Sequence, residues 1–579
     1  MQKQCRIQKI MHNQRFIVAI ILIIVLTVLC GCNSAIRNKT EHFTGASEHT
    51  VYPQTIYVGI HKKVCIDLSL TPEKAEDPVF SIDTTGIGQN IQVFPYITAQ
   101  GQKRYCIYLT LFPDIKPGHY KITIQATFAK VAPIHAIADI HIALPPTPGE
   151  SPILSQTQQI LPDTEAKTRF IEGNGVEFLD DGKYAFEQWM HLLSSAQYTI
   201  YLQTYYLEDT GQTARLIEML KNKAAQGIDV KLIINRYTQL GTSSLAYLNL
   251  KRHGIEVILG GDLSLPHSVS TISSPWYKKM QDNYLLYKSL PQDNPFRRWE
   301  EERGKGQIMI DYAIHEKMLI VDGQKAIMGG RNLTESYFFW YKDLDILLSG
   351  PIVTELDKAF RQNWLTFGGG TLNNDAPSIE PLPQGIPARL VHSRPWDGSY
   401  TNLDELVHAC LMAQSRIYLT SQYLALPLKL QNALIDAARK GIDVRILTNS
   451  YETGQELAMS LCHYISLNYY RDLLVAGVRI YEYGCDPNLK QKPYYHVKQF
   501  IIDGKCVAVG SYNLSLRSAY LESEIMVYIA DKSVATAREK LFLKELELNT
   551  REIFFSDLAY KEEKFGTFIN LARIFEILY

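Results

Sequence analysis

His315-Glu316-Lys317-Met318-Leu319-Ile320-Val321-Asp322-Gly323 and His496-Val497-Lys498-Gln499-Phe500-Ile501-Ile502-Asp503-Gly504 are one pattern written twice. In each copy an apolar run, Met318 to Val321 or Phe500 to Ile502, reads as a buried strand that Asp-Gly closes in a hairpin turn. Side chains two apart on a strand project to the same side, so each copy presents an imidazole beside an ammonium. Lysine is a compact positive charge suited to phosphate oxygens and a poor metal ligand. The pattern therefore predicts an anion site with no metal and no cofactor.

The copies extend downstream. Gly329-Gly330-Arg331-Asn332 and Asp343 follow the first; Gly510-Ser511-Tyr512-Asn513 and Glu524 follow the second. Each matched residue of the second set lies 181 positions after its counterpart, from His315 and His496 to Asp343 and Glu524. The repeat also extends upstream. Ile200-Tyr201-Leu202 recurs as Ile417-Tyr418-Leu419, and Gly227-Ile228-Asp229-Val230 as Gly441-Ile442-Asp443-Val444. Glycine after a helix-like segment is a natural cap before a buried strand, and strand, helix, strand at this spacing is an α/β crossover unit. A first half is expected over 166–370, a Pro- and Asn-bearing linker over 371–387, and a second half over 388–579.

These paired motifs resemble the phospholipase D superfamily in its two-motif form, across about residues 166–550. Gly329 to Asn332, with Asp343-Leu344-Asp345-Ile346 and Gly350-Pro351, is most similar to the cardiolipin synthase branch. The resemblance implies an α/β fold: two phospholipase D-like α/β/α sandwich halves forming one site. It implies a two-step exchange at a phosphodiester, in which one histidine attacks phosphorus and the other protonates the leaving alcohol. By that likeness His315 is the nucleophile and His496 the acid and base, the reverse assignment staying open. Lys317, Lys498, Asn332 and Asn513 would hold the phosphoryl oxygens, and Asp343 and Glu524 would orient the imidazoles. Asp322 and Asp503 complete the catalytic motif, although a turn-forming role suits their position better. Gly330 leaves the first half without the hydroxyl of Ser511. Tyr205 and Tyr423 follow the first strand of each half, as site-lining or core residues.

The chain has 579 residues, 46% hydrophobic and 21% charged, with a net charge of −1. This suits two or three folded domains and argues against a nucleic-acid coat. Residues 1–31 hold Lys3, Arg6, Lys9 and Arg15 and no acid, so the remainder is near −5. Phe16 to Cys30 is apolar apart from Thr27 and short for a membrane span. Leu29-Cys30-Gly31-Cys32 resembles the lipobox of bacterial lipoproteins, which implies a signal peptide at 1–31, a lipid on Cys32 and a tether over 32–50. Asn33 in place of Asp favours the outer membrane; an uncleaved inner-membrane anchor is the alternative.

Residues 51–146 alternate as strands and predict a small all-β, sandwich-like module, followed by a proline-marked linker over 147–165. Cys65 and Cys106 sit on the less apolar parity of their strands. An inter-sheet core disulfide is therefore disfavoured, while a same-sheet pair and free thiols both stay open. The first half carries 42 extra residues before His315, with Trp276, Tyr277 and Trp299 among Lys278, Lys279 and Arg303. They suit a lipid headgroup surface, single-stranded nucleic acid or a solvated lid. The apolar run from Phe565 is expected to pack on the body. The expected partners are a phospholipid and a membrane surface, and one copy of the chain suffices for a site. An envelope nuclease and a non-catalytic binding lipoprotein are the alternatives.

Overall fold

The computed structural model describes residues between 54 and 576, except for several stretches of which the longest are 70–77, 144–168, 262–311 and 485–492. The signal segment, Cys32 and its tether, the proline-marked linker and the aromatic–basic insertion lie outside the described residues. Among the described residues no helix is long and apolar enough to cross a membrane.

Among the described residues, seven strands form the N-terminal module. Lys63–Ser69, Lys103–Leu111 and Gly88–Ile97 make one sheet; Gln54–Tyr57, Val131–Ala143, Gly118–Phe128 and Val79–Asp83 make the other. Ile66, Leu68, Ile107 and Leu109 of the first sheet meet Ile122, Ile124, Ala138 and Ile140 of the second in one core, as a sandwich requires. The opposite parity is buried too. Cys106 and Phe94 pack against Val475, Phe554 and Phe555 of the second half, with the Phe94 and Phe555 rings 5.5 Å apart. That contact accounts for a cysteine on the outer face. Cys106 is disulfide-bonded, which removes the free-thiol alternative for it.

The rest of the described chain is built on one sheet rather than two separate ones. Its spatial order runs Glu256–Gly260, Asp229–Asn235, Thr199–Thr204, Met318–Val321, Lys325–Gly329, Asp345–Ser349, Ile171–Leu179. It then continues without a break through Ile386–Ser393, Glu522–Ile529, Cys506–Gly510, Gln499–Ile502, Arg416–Thr420, Asp443–Asn449, Arg479–Tyr483 and Thr550–Ile553. The second series repeats the first in reverse, so the halves are related about the Ile171–Leu179 and Ile386–Ser393 pair. The strands Thr199–Thr204 and Arg416–Thr420 are buried along most or all of their length, their polar Gln203, Thr204, Arg416 and Thr420 included. Gly227 and Gly441 end their helices at φ 85° and 88°, where a side chain would be strained. The helix Phe555–Ala572 packs on Leu457–Val475, burying Leu558, Ile569 and Ala572 as the apolar C-terminal run led one to expect.

The strand after each motif histidine runs antiparallel to both of its neighbours, the first crossover strand of its half and a hairpin partner. Met318–Val321 pairs with Thr199–Thr204 on one side and Lys325–Gly329 on the other; Gln499–Ile502 does the same with Arg416–Thr420 and Cys506–Gly510. The histidines precede these strands, at the end where Thr204 and Thr420 stop.

Candidate active site

The backbone of each histidine is held by the opposite half. His315 N donates to Ser523 O at 3.0 Å, and His496 N donates to Lys342 O at 2.7 Å. The side chains cross in the same sense. His315 Nδ1 meets Glu524 Oε1 at 2.9 Å, and His496 Nδ1 meets Asp343 Oδ2 at 2.7 Å. Each imidazole therefore takes its orienting carboxylate from the other half, a pairing the 181-residue register does not specify.

The lysines lie against their histidines. Lys317 Nζ donates to His315 O at 2.5 Å, and Lys498 Nζ to His496 O at 2.6 Å. Lys498 Nζ is also 2.9 Å from the His496 ring nitrogens, and Lys317 Nζ lies 5.3 Å from the centre of the Tyr205 ring. Tyr205 stands edge-on to His315 and Tyr337 edge-on to His496, each with ring centres 4.9 Å apart. Asn332 accepts the Tyr206 N–H at 3.3 Å and bonds the Tyr337 hydroxyl; Asn513 N donates to Ser518 Oγ at 3.2 Å.

These groups are buried, and burial sets their charges. Burial, then the neighbouring ammonium, holds both imidazoles well below their ordinary value. Burial also brings Lys317 down to about 8 and Lys498 to about 7, against the pull of Glu524 and Asp343. It lifts Asp343 to about 6 and Glu524 to about 8, although the lysines oppose this. Each lysine feels both carboxylates, and His496 feels Lys317 and His315 as well as its own lysine. The two motifs therefore share one electrostatic site.

Asp322 and Asp503 are not brought into it. They sit in left-handed turns, φ 52° and 53°, at the far ends of the catalytic strands. Asp322 accepts the backbone N–H groups of Gln197, Tyr198 and Thr199 at 2.7–2.9 Å. Asp503 accepts those of Gln414, Ser415 and Arg416, and the Ser415 hydroxyl. Both cap the start of the neighbouring antiparallel strand, at the end away from the histidines.

Gly330 has a steric reason. A Cβ there would collide with the Asp343 carboxylate, so the missing hydroxyl is the consequence of seating an acid. Arg331 fixes that acid's loop, donating to Leu179 O, Asp180 O and Asp343 O at 2.6–3.0 Å. Sequence reasoning missed Tyr337, because its counterpart 181 positions on is Ser518. Thr204 bonds Tyr206 O as Ser421 bonds Tyr423 O, so Tyr423 corresponds to Tyr206, while Tyr205 faces a histidine. Among the described residues, His315, Glu522 and Glu524 bring possible metal-ligand atoms within 4.8 Å of one another. Glu522 is already paired with Arg517 at 2.8 Å, and Lys317 and Lys498 place positive charge beside the group.

A family model described as cardiolipin synthase, PLD-like domain, matches residues 189–364 and 406–546. A cardiolipin synthase of Halalkalibacterium halodurans is 24% identical over 386 residues, covering 65% of this chain and 67% of that protein. Cardiolipin synthase A of Pseudomonas fluorescens is 26% identical over 395 residues, covering 66% and 71%. A solved phosphatidylserine synthase of Haemophilus influenzae aligns with 74% of this chain and all of its own, at 13% identity and a TM-score of 0.48.

Proposed function

We propose that this chain, which belongs to the family of cardiolipin synthase, PLD-like domains, exchanges phosphodiester bonds of phospholipids through a covalent phosphohistidine. The observation that carries the reading is the crossed pairing of His315 with Glu524 and His496 with Asp343, with Lys317 and Lys498 beside them. Family membership, and relatives named for cardiolipin synthesis, support a phospholipid substrate over a nucleic acid.

When ionised, Asp343 and Glu524 accept the Nδ1–H of each imidazole, which leaves Nε2 for chemistry. His315 Nε2 attacks phosphorus while Lys317, Lys498, Asn332 and Asn513 hold the non-bridging oxygens. His496 gives its proton to the departing alcohol, then takes one from water or a second alcohol, whose oxygen displaces His315. Splitting the displacement into two steps is the gain of a covalent intermediate. Both imidazoles are neutral in the empty site at pH 7. The diester's negative charge offsets the two lysines and lets His496 take up the proton it must deliver.

The apolar run before Leu29-Cys30-Gly31-Cys32 supports an exported enzyme held at the cell-envelope membrane by a lipid on Cys32. Two or more acyl chains hold far better than one. Replacement of Cys32 by alanine should release the protein from the membrane fraction. The catalytic reading is tested by incubating the purified enzyme with vesicles of phosphatidylethanolamine and phosphatidylglycerol and identifying products by mass spectrometry. Cardiolipin or phosphatidic acid is expected, and neither with the His315→Ala enzyme. DNA digestion without lipid turnover would replace this reading with a nuclease.

A further inference from the structure

Glu316 lies between His315 and Lys317 but serves the other face of the strand, fully buried beneath the site. Its carboxylate accepts four hydrogen bonds. Oε2 takes them from Gln203 Nε2 at 2.8 Å and Ser523 Oγ at 2.5 Å; Oε1 takes them from His392 Nε2 at 2.9 Å and Asn363 Nδ2 at 3.1 Å. Gln203 and Asn363 belong to the first half, His392 and Ser523 to the second. A carboxylate offers about four acceptor positions, so this one is saturated by donors from four separate segments. Burial alone would push the carboxyl up, yet the His392 bond and charge, with the Ser523 bond, hold it below the usual range.

Ser523 links Glu316 to the His315 pairing. Its carbonyl accepts the His315 N–H, and the next residue is Glu524, the carboxylate on His315 Nδ1. Glu316 therefore grips, from beneath, the peptide that orients its neighbour from above. The second half keeps the backbone contact and omits the grip. Val497 replaces Glu316 and packs in the apolar core, and Lys342 replaces Ser523 with its side chain turned to Glu545.

We propose that Glu316 is a positioning residue, whose bonds to His392 and Ser523 set the register in which Glu524 of one half meets His315 of the other. A buried carboxylate with polar partners often gives little net stability compared with apolar packing of similar volume. Its retention between two working residues then reflects geometry: the bond to Ser523, on the strand carrying Glu524, and that to His392, on the strand paired with it, oppose a sliding that apolar contacts leave free. The inference rests on the phosphodiester-exchange reading for its kinetic consequence but not for its structural one.

The test uses the full-length enzyme, with bis(p-nitrophenyl) phosphate as a soluble diester. Glu316→Val should lower kcat by about 30- to 100-fold with KM within about threefold, the scale of a small misplacement of a reacting group. Glu316→Val with His392→Leu also removes the imidazole that Glu316→Val leaves unpaired. That double variant should melt above Glu316→Val, though below the wild type because Gln203, Asn363 and Ser523 still lack their acceptor, and should leave kcat low. Recovery of kcat along with stability would reduce Glu316 to a packing role and overturn the proposal, as would a normal kcat in Glu316→Val. Proton NMR supplies a readout independent of turnover. Two downfield imidazole N–H signals, assigned with Glu524→Gln and Asp343→Asn, are expected in the wild type. Glu316→Val should lose or shift that of His315 and spare that of His496. Two unchanged signals would sink the inference, whereas a wild type inert toward every diester but showing the selective loss would sink the catalytic reading alone.

Discussion

In the first half the carboxylate that crosses the interface is Asp343, seated against Gly330, where any side chain would collide with it. In the second it is Glu524, one methylene longer, and Ser518 donates to it at 2.5 Å. Tyr337 faces His496, while its counterpart Ser518 serves Glu524 and leaves Tyr205 to face His315. The backbone is the same on both sides: each histidine N–H finds a carbonyl of the opposite half, and each strand ends in an aspartate-capped turn. The symmetry therefore lies in the ladder and the asymmetry in the polar shell. Neither half contains a finished imidazole–carboxylate pair, so each half completes the other's.

The strongest way to break that picture is to remove one histidine. His315→Ala and His496→Ala should each lower kcat by about 10^4-fold or more, and the double variant should be scarcely worse, because the two act as one unit. Additive losses measured by steady-state kinetics would show independent sites. Next come the crossed carboxylates. Asp343→Asn and Glu524→Gln should cost about 10^2- to 10^4-fold in kcat, the scale of losing the group that fixes an imidazole tautomer. Joining Asp343→Asn to His496→Ala should add little, whereas joining it to His315→Ala should be no milder. A cycle that paired Asp343 with His315 would contradict the geometry.

The pH dependence of kcat/KM sharpens the comparison on both limbs. Asp343 is raised to about 6 and Glu524 to about 8, so below those values each is protonated and stops accepting the N–H of its histidine. Lys498 and Lys317 are lowered to about 7 and about 8, so above those values the empty site loses the charges that attract the diester. Activity should fall about tenfold per unit beyond each limb. At saturating substrate the alkaline limb should move upward, since a bound anion stabilises both ammoniums. An alkaline limb that stayed put in kcat would detach it from the lysines.

Asp322 and Asp503 divide activity from stability. Asp503 is fully buried with three backbone N–H groups and a hydroxyl on it, while Asp322 is partly exposed with three N–H groups. Removing the carboxylate strands those donors, at about 1–3 kcal/mol per buried group left unpaired. Asp503→Ala should therefore lower the melting temperature more than Asp322→Ala, and the folded fraction of each should keep nearly normal kcat. A large kcat loss in soluble, folded Asp322→Ala would return that residue to the catalytic set.

Much of this was written in the chain. The 181-residue repeat identifies His315, Lys317, Asn332, Asp343 and their counterparts, because each working group must sit on a strand or turn whose local pattern is visible. The β-sandwich and the crossover halves follow from alternation and helix caps for the same reason. What local spacing cannot encode is which acid meets which histidine, since that depends on how Ala313–Ile314 lies against Glu522–Ser523. Nor does it foretell that Ile171–Leu179 and Ile386–Ser393 would join both halves into one sheet. Glu316 did leave a trace: a charge inside an apolar strand, at the parity opposite the catalytic pair, signals a buried polar partner. His392, 76 residues away, could not be named from it.

The smallest expected effect has the opposite sign to the others. Lys498 is fully buried, and burial lowers its ammonium from the usual lysine value to about 7. A cation whose folded value lies below its unfolded one binds more protons when unfolded, so stability rises with pH through the interval between them. Below about 7 the ammonium is charged in both states and its burial opposes folding in full. Lys498→Met should remove that opposition and raise the stability of the empty enzyme, while abolishing turnover. The gain should be about 1 kcal/mol, because Asp343 loses a counter-charge at the same time and offsets part of it. It should be largest near pH 6 and shrink toward pH 10, as the wild-type lysine sheds its proton in the folded state. Thermal melts of the two proteins across that range decide the matter. A variant less stable at pH 6 than the wild type would mean that Lys498 holds the site together before any phosphate arrives, and that the second half is not strained by its own cation.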